Sequence, residues 1–106
     1  MTSVTMLLAD GTEGKALGYA LARVKNRPGS ALMHSDVIMS LDQIAVAPDA
    51  ARSGIGAALL EAVREVGRAA GCRRLVTDVW YFNESAHAFY EVAGFRPMSM
   101  LLDQPR

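Results

Sequence analysis

The sequence contains one cysteine, Cys72, and equal numbers of acidic and basic residues. A single cysteine excludes an intrachain disulfide and gives no basis for a cysteine-ligated metal site. A formal net charge of zero argues against a nucleic-acid-binding surface, because tracking phosphates requires a clear basic excess. We therefore expect a structural role for the Cys72 thiol, no bound metal and no nucleic-acid partner.

The sequence also lacks a long hydrophobic run. No apolar stretch approaches the ~20 residues of a membrane-spanning helix, and the first residues show neither the basic segment nor the apolar core of a signal peptide. We therefore expect a cytoplasmic protein with no membrane partner. The composition, 51% hydrophobic and 21% charged over 106 residues, is typical of one globular domain spanning residues 1–106.

Hydrophobic periodicity predicts an α+β fold. Short apolar runs separated by Gly, Pro, Asn and Asp are typical of strands, whereas apolar residues spaced by three and four predict helices. The predicted order is β-β-β-α-β-α-β, with strands at 4–9, 16–24 and 37–46, a helix at 53–70, a strand at 75–80, a helix at 85–93 and a last strand at 95–102.

The two kinds of connection predict a mixed sheet. The first strands are joined as a hairpin, whereas a strand–helix–strand unit places its two strands parallel. Arg64 and Arg68 alternate with glutamates on the polar side of the long helix, and this pattern predicts a solvated face.

The segment with the clearest functional signal joins the third strand to the long helix. Gly54 and Gly56 open that helix, where unpaired N–H groups and the positive end of the helix dipole favour a phosphate. The alternative is that the two glycines serve close packing only. A dinucleotide-binding motif would need a third glycine where the chain has Leu59. A nucleotide-hydrolysing P-loop would need Gly-Lys-Ser/Thr, which the segment lacks, so both of these sites are excluded.

Two stretches resemble the acetyl-CoA-dependent N-acetyltransferase (GNAT) superfamily. The run from Ile44 to Pro48 is similar to the family's Leu/Ile-x-Val-x-Pro strand, and residues 51–56 occupy its Gln/Arg-x-x-Gly-x-Gly/Ala loop. The Gln/Arg position holds Ala51, and the basic residue follows at Arg52. Residues 83–95 are similar to the family's Asn-x-x-Ala-x-x-Phe/Leu-Tyr-Glu-x-x-Gly-Phe motif.

The resemblance implies that acetyl-CoA is wedged between two parallel strands that splay apart. It assigns cofactor binding to the end of the third strand, the start of the long helix and the second motif: Ile44, Ala45, Val46, Arg52, Ser53, Gly54, Ile55, Gly56, Ala57, Asn83 and Tyr90. It also implies that Tyr90 is the general acid that protonates the leaving thiolate. The structural alternatives are a half-buried aromatic at Tyr90 and a helix cap at Asn83.

The general base is less clearly marked. Asp42 lies on the third strand, where a carboxylate of several family members accepts the amine proton, and we predict it as the catalytic base. A solvated or ion-paired aspartate is the alternative interpretation. His34 and His87 are further candidates, and Ser40 is too weak a base.

The resemblance leaves the acceptor open. Family members usually begin with a strand and two helices that shape the acceptor pocket, and this chain begins near the family's second strand. We predict acetyl transfer to an amine of a small molecule or peptide, with a homodimer paired along the edge beside residues 4–9. The alternative is a catalytically silent CoA-binding or dimerisation module.

Overall fold

The computed structural model describes residues 3–10, 15–27, 29, 36–50 and 53–106. Three strands come first: β1 (Ser3–Asp10), β2 (Ala16–Arg27) and β3 (Asp36–Val46). A short 3-10 turn (Pro48–Ala50) leads to helix α1 (Ile55–Ala69), strand β4 (Arg74–Thr77) and helix α2 (Glu84–Val92).

The strands form one mixed sheet in the order β1-β2-β3-β4. The β1–β2 and β2–β3 pairs are antiparallel, and β4 joins β3 in parallel after the α1 crossover. The predicted α+β fold and the mixed sheet are therefore confirmed.

The prediction of a last strand at 95–102 is wrong, because residues 95–106 have no regular secondary structure. Met98, Met100 and Leu102 alternate as strand residues do, yet Met100 is 81% and Leu102 is 80% exposed. A strand forms only where a neighbouring strand accepts and donates its hydrogen bonds, and none of the described strands pairs with this segment. Apolar alternation alone therefore misled the prediction.

The core lies between α1 and one face of the sheet. Leu59, Leu60 and Val63 of α1 are at most 4% exposed and pack against a cluster from β2 and β3 formed by Ala20, Ala22, Met39 and Leu41. Leu60 is completely buried, but it falls outside the apolar face that the helical spacing predicts, which consists of Ile55, Leu59, Ala62, Val63, Val66 and Ala70.

Glycines let the helix approach the sheet closely. A Cβ at Gly18 of β2 would lie 2.6 Å from the Ala45 carbonyl oxygen and 3.3 Å from Leu59 Cδ1. A Cβ at Gly67 of α1 would lie 3.2 Å from Met39 Cβ. Because these contacts are tighter than ordinary packing, Gly18 lets β2 lie close to β3 and to α1, and Gly67 lets α1 lie close to β3.

Candidate active site

The parallel strands β3 and β4 stay paired for only four residues. Their register ends at Leu41 opposite Thr77, where the Thr77 hydroxyl donates a hydrogen bond to the Leu41 carbonyl oxygen at 3.1 Å. On the other side of β3, Leu21 lies opposite Gln43 whereas Ala22 lies opposite Leu41. Asp42 is therefore the extra residue of a β-bulge, a feature that bends the strand and redirects its side chains, while β3 stays paired with β2 on both sides of it.

An open cleft of about 480 Å³ begins where this pairing ends. Its walls come from the ends of β3 and β4, from the turn that follows β4 and from α2. The predicted site residues on these walls are Asp42, Ile44, Asn83 and Tyr90. The structure thus brings together residues that are separated by up to 48 positions in the sequence.

Asp42 is held by two hydrogen-bond donors. Arg23 Nε lies 2.5 Å from one carboxylate oxygen, and Ser40 Oγ donates to the other at 3.1 Å. Desolvation acts to raise the pKa of Asp42, but the hydrogen bonds from Arg23 and Ser40 and the nearby positive charges outweigh it and hold the pKa below its ordinary value. This ion pair agrees with the alternative interpretation of Asp42 as an ion-paired aspartate. The lowered pKa makes the carboxylate a weaker proton acceptor.

Tyr90 lies on α2 with its ring between two other aromatic rings. Its centroid is 5.1 Å from that of Phe89 and 5.2 Å from that of Phe95, both in edge-to-face geometry. The backbone N–H of Phe95 also donates to the Tyr90 carbonyl oxygen at 2.9 Å. Tyr90 is half-buried and lines the cleft, so its position accommodates both the packing role and a role at the cleft.

Asn83 caps the helix that carries Tyr90. Its side-chain oxygen accepts the backbone N–H of Ala86 at 3.1 Å and the Ser85 hydroxyl at 3.2 Å. The capping interpretation of Asn83 is therefore confirmed, and its side chain still lines the cleft. His87 is exposed, and its Nε2 lies 3.1 Å from the Trp80 carbonyl oxygen, where the protonated nitrogen donates.

The two glycines at the start of α1 have different structural reasons. Gly54 has a φ of 86°, in the left-handed region that favours glycine, and a Cβ there would meet no atom within 4 Å. A Cβ at Gly56 would lie 3.3 Å from the Phe89 ring. Gly56 therefore allows α2 to pack against the first turn of α1, as the packing alternative predicts, whereas Gly54 leaves open space.

The other residues predicted to bind the cofactor lie along the same path. Ala45 and Val46 continue β3 beyond Ile44, opposite Tyr19 and Gly18 of β2. Ser53 donates its hydroxyl hydrogen bond to the Ala50 carbonyl oxygen, and Ile55 and Ala57 belong to the first turn of α1. Arg52 and His34 lie outside the described residues.

Several residues of the cleft were missed by sequence reasoning. Tyr19 donates to the Gln43 side chain at 3.2 Å, and both line the cleft together with Asp78, Trp80 and Phe89. Tyr19 and Gln43 reach the cleft because of pairing between strands, which the sequence does not show directly. Asp78 and Trp80 fall in the stretch predicted as strand, and the early end of β4 at Thr77 leaves them on the cleft wall.

Within the described ranges, no helix combines the length and apolar character that a membrane span requires. Among the same residues, His, Cys, Asp and Glu side chains form no group of three or more that could hold a metal ion.

Comparison with known proteins gives sequence relatives of defined activity. An aminoglycoside N(6')-acetyltransferase type 1 of Klebsiella aerogenes is 29% identical over 91% of this chain and 62% of its own length. The protein of that name from Stenotrophomonas maltophilia is 34% identical over 85% of this chain and 58% of its own length. The chain thus spans about three fifths of the length of these two relatives.

A solved structure and a family model give the same assignment as these sequence relatives. The solved structure of the acetyltransferase AAC(6')-Iy, in complex with a bisubstrate analogue of CoA and acetylneamine, superposes with a TM-score of 0.83 at 22% identity. The superposition covers 97% of this chain and 69% of the AAC(6')-Iy chain. At 22% identity, this likeness shows that the two proteins share a fold. The model of the acetyltransferase (GNAT) family matches residues 3–95. The chain therefore belongs to the GNAT acetyltransferase family.

Proposed function

We propose that this chain, acting as one domain, transfers the acetyl group of acetyl-CoA to an amine of a small-molecule or peptide acceptor. The observation that carries the proposal is the cleft at the separated ends of β3 and β4, with Tyr90 on its wall. A thioester lying along β3 would bring its sulfur to this wall, where a phenol can protonate the departing thiolate. Family membership and the two aminoglycoside acetyltransferase relatives support an amine acceptor.

The main chain would hold most of the cofactor. The first turn of α1 offers N–H groups without intrahelical partners at the positive end of the helix dipole, which suits the diphosphate of CoA. The open space beside Gly54 allows an anion to approach this backbone. Residues 44–46 would lend backbone groups to the pantetheine arm, with the N–H near Val46 as the oxyanion donor. The solved complex of a structural relative with a CoA-based bisubstrate analogue supports CoA as the cofactor.

The acceptor would enter a cleft that has two carboxylates on its walls. Asp42 and Asp78 line the cleft, and Trp80, which is 73% exposed, stands at its rim. Carboxylates attract protonated amines, and the face of an aromatic ring attracts a cation that lies within about 6 Å of its centre. Since both sequence relatives are named for aminoglycosides, an aminoglycoside is the first acceptor to test.

Addition of saturating CoA should raise the melting temperature. A ligand that binds only the folded chain stabilises it by about 2.7 kcal/mol at 100 times its Kd. Amide signals of residues 53–57 should shift in a nitrogen–proton correlation spectrum, whereas adenosine, which lacks the diphosphate, should leave them unchanged. An unchanged melting temperature with CoA would contradict cofactor binding.

The second candidate is a CoA-binding module without catalytic activity. The ion pair between Asp42 and Arg23 favours this candidate, because it makes the proposed base a weaker proton acceptor. Thiol release from acetyl-CoA, measured with an aminoglycoside, a diamine and a lysine peptide, separates the two functions. Release that depends on an amine supports the transferase, whereas CoA binding without release selects the silent module.

Tyr90→Phe should lower kcat by about 100-fold while leaving the KM for acetyl-CoA within about twofold, because general acid catalysis contributes at least this much. The ring is retained, so its contacts with Phe89 and Phe95 should remain. Tyr81→Phe is the matched control, since Tyr81 is 86% exposed in the turn before α2. Equal kcat values for the two variants would exclude Tyr90 as the acid.

We propose that Asp42 attracts the protonated amine and is the group through which its proton leaves, directly or through water; the ion pair with Arg23 weakens the carboxylate as an acceptor but leaves it charged toward the amine. Asp42→Asn should raise the KM for a cationic amine about tenfold, since one unit charge is lost at close range. The KM for acetyl-CoA should change little. Asp103→Asn, in the exposed terminal segment, is the charge-matched control.

The same variant tests the lowered pKa of Asp42. A carboxyl group with a depressed pKa stabilises the fold above its ordinary value of 3.8, and this stability is lost as the pH falls through the folded pKa. Urea unfolding should therefore show a stability gap between the wild type and Asp42→Asn at neutral pH that shrinks at about pH 3. A gap that is equal at both pH values would argue against the ion pair.

We further propose a cytoplasmic homodimer, with acetyl-CoA supplied from the cytoplasmic pool. β1 is an edge strand of the sheet, and alternate residues on it are apolar and exposed: Val4 at 64%, Met6 at 60% and Leu8 at 61%. Such an edge is suited to pairing with a second strand. Light scattering across the micromolar range should show a dimer for the wild type and a monomer for Met6→Lys; a wild-type monomer would contradict the proposal.

A further inference from the structure

Arg64 links α1 to the end of α2. One of its terminal nitrogens donates to the Ala93 carbonyl oxygen at 2.6 Å, and the other pairs with Glu61 at 3.1 Å. The guanidinium also lies over the Phe95 ring, 5.9 Å from its centroid. The sequence pattern predicts that Arg64 belongs to a solvated face; its side chain is 37% exposed, and its guanidinium in addition binds the end of the neighbouring helix, which the pattern does not predict.

The Ala93 carbonyl is a suitable partner for a cation. Ala93 is the C-cap of α2, where carbonyl groups lack intrahelical partners and the helix dipole is negative. A charge-assisted hydrogen bond is stronger than a neutral one. Arg64 therefore fixes the last turn of α2, three residues beyond Tyr90, against the long helix.

A second path from Arg64 to Tyr90 runs through Phe95. The Arg64 guanidinium lies over one aromatic ring, that of Phe95. Phe95 contacts the Tyr90 ring edge-to-face at 5.2 Å, and its N–H donates to the Tyr90 carbonyl oxygen. The position of Phe95 therefore bears on both the backbone and the ring of Tyr90.

We propose that Arg64 is a positioning residue for Tyr90: by holding Ala93 and Phe95 it sets where the phenol meets the cleft. The inference rests on the proposed function, in which Tyr90 protonates the leaving thiolate. Arg64 is not a cleft residue in the described part of the chain, so it would act by placing Tyr90 and not by contact with the substrate. A displacement of the phenol by about 1 Å is sufficient to slow the chemical step markedly.

A double-mutant cycle with Tyr90→Phe tests this role. Arg64→Ala should lower kcat about tenfold in the wild type, with the KM for acetyl-CoA within about twofold, because only the acid is misplaced. In the Tyr90→Phe background the same substitution should change kcat by less than about twofold, since no acid remains to be positioned. Assays should be run well below the melting temperature of each variant.

Arg68→Ala is the matched control. Arg68 lies one turn further along α1 and pairs with Glu65 at 2.7 Å, also three residues apart, but its side chain is 76% exposed. This substitution should leave kcat unchanged in both backgrounds. Arg64→Lys keeps the charge near Ala93 but loses the planar group over Phe95, so its kcat should fall between those of the wild type and Arg64→Ala.

If Arg64→Ala does not fold, Phe95→Leu replaces it in the cycle, because it breaks the same path while keeping an apolar side chain. Its kcat loss should likewise vanish in the Tyr90→Phe background. Equal kcat losses in both backgrounds, or no loss in either, would overturn the positioning role. A wild-type chain without turnover would overturn the proposed function and this inference with it, whereas slowing by Tyr90→Phe but not by Arg64→Ala would overturn this inference alone.

Discussion

The structure depends most on where the hydrogen bonds between β3 and β4 stop. Parallel strands pair evenly as long as both stay extended, and here the register ends at Leu41 and Thr77. The extra residue at Asp42 bends β3 at that point. One inserted residue therefore both opens the cleft and places a carboxylate at its wall, so the shape of the cleft and its charge have a common origin.

The packing of the helices places the remaining walls. α1 approaches β2 and β3 closely because Gly18 and Gly67 carry no side chains at the contact. α2 then packs against the first turn of α1 through Phe89 and Gly56. Since Tyr90 follows Phe89 directly, the contact that joins the helices contributes to the placement of the phenol, together with the contacts of Arg64.

Local sequence pattern predicted most of the fold. Turn residues and apolar periodicity located the first three strands and both helices to within a few residues, because burial of one face dictates these patterns. Leu60 was missed because the helical face was drawn too narrowly. The prediction of a last strand failed because the alternation at Met98 and Met100 shows strand-like spacing but does not show whether a partner strand is present.

The site was predictable where its residues lie in contiguous motifs or, as for Asp42, on a strand that a motif identifies. Asn83 and Tyr90 were found in this way, and both line the cleft. Tyr19, Gln43 and the Arg23 partner of Asp42 depend on cross-strand register, and the contact from Arg64 to Ala93 spans 29 positions. Such contacts are products of the tertiary fold, so local pattern does not reveal them.

The different surroundings of the two glycines affect how substitutions at the helix start are interpreted. At Gly56 an added methyl group would press on an aromatic ring of the other helix, so weaker cofactor affinity there would mix lost anion contact with a shifted α2. At Gly54 an added L-type methyl group would meet no atom within 4 Å, and only the left-handed backbone would be strained, so an alanine there would disturb the local backbone without pressing on the other helix. That position separates the backbone's contribution to ligand binding from interhelical packing.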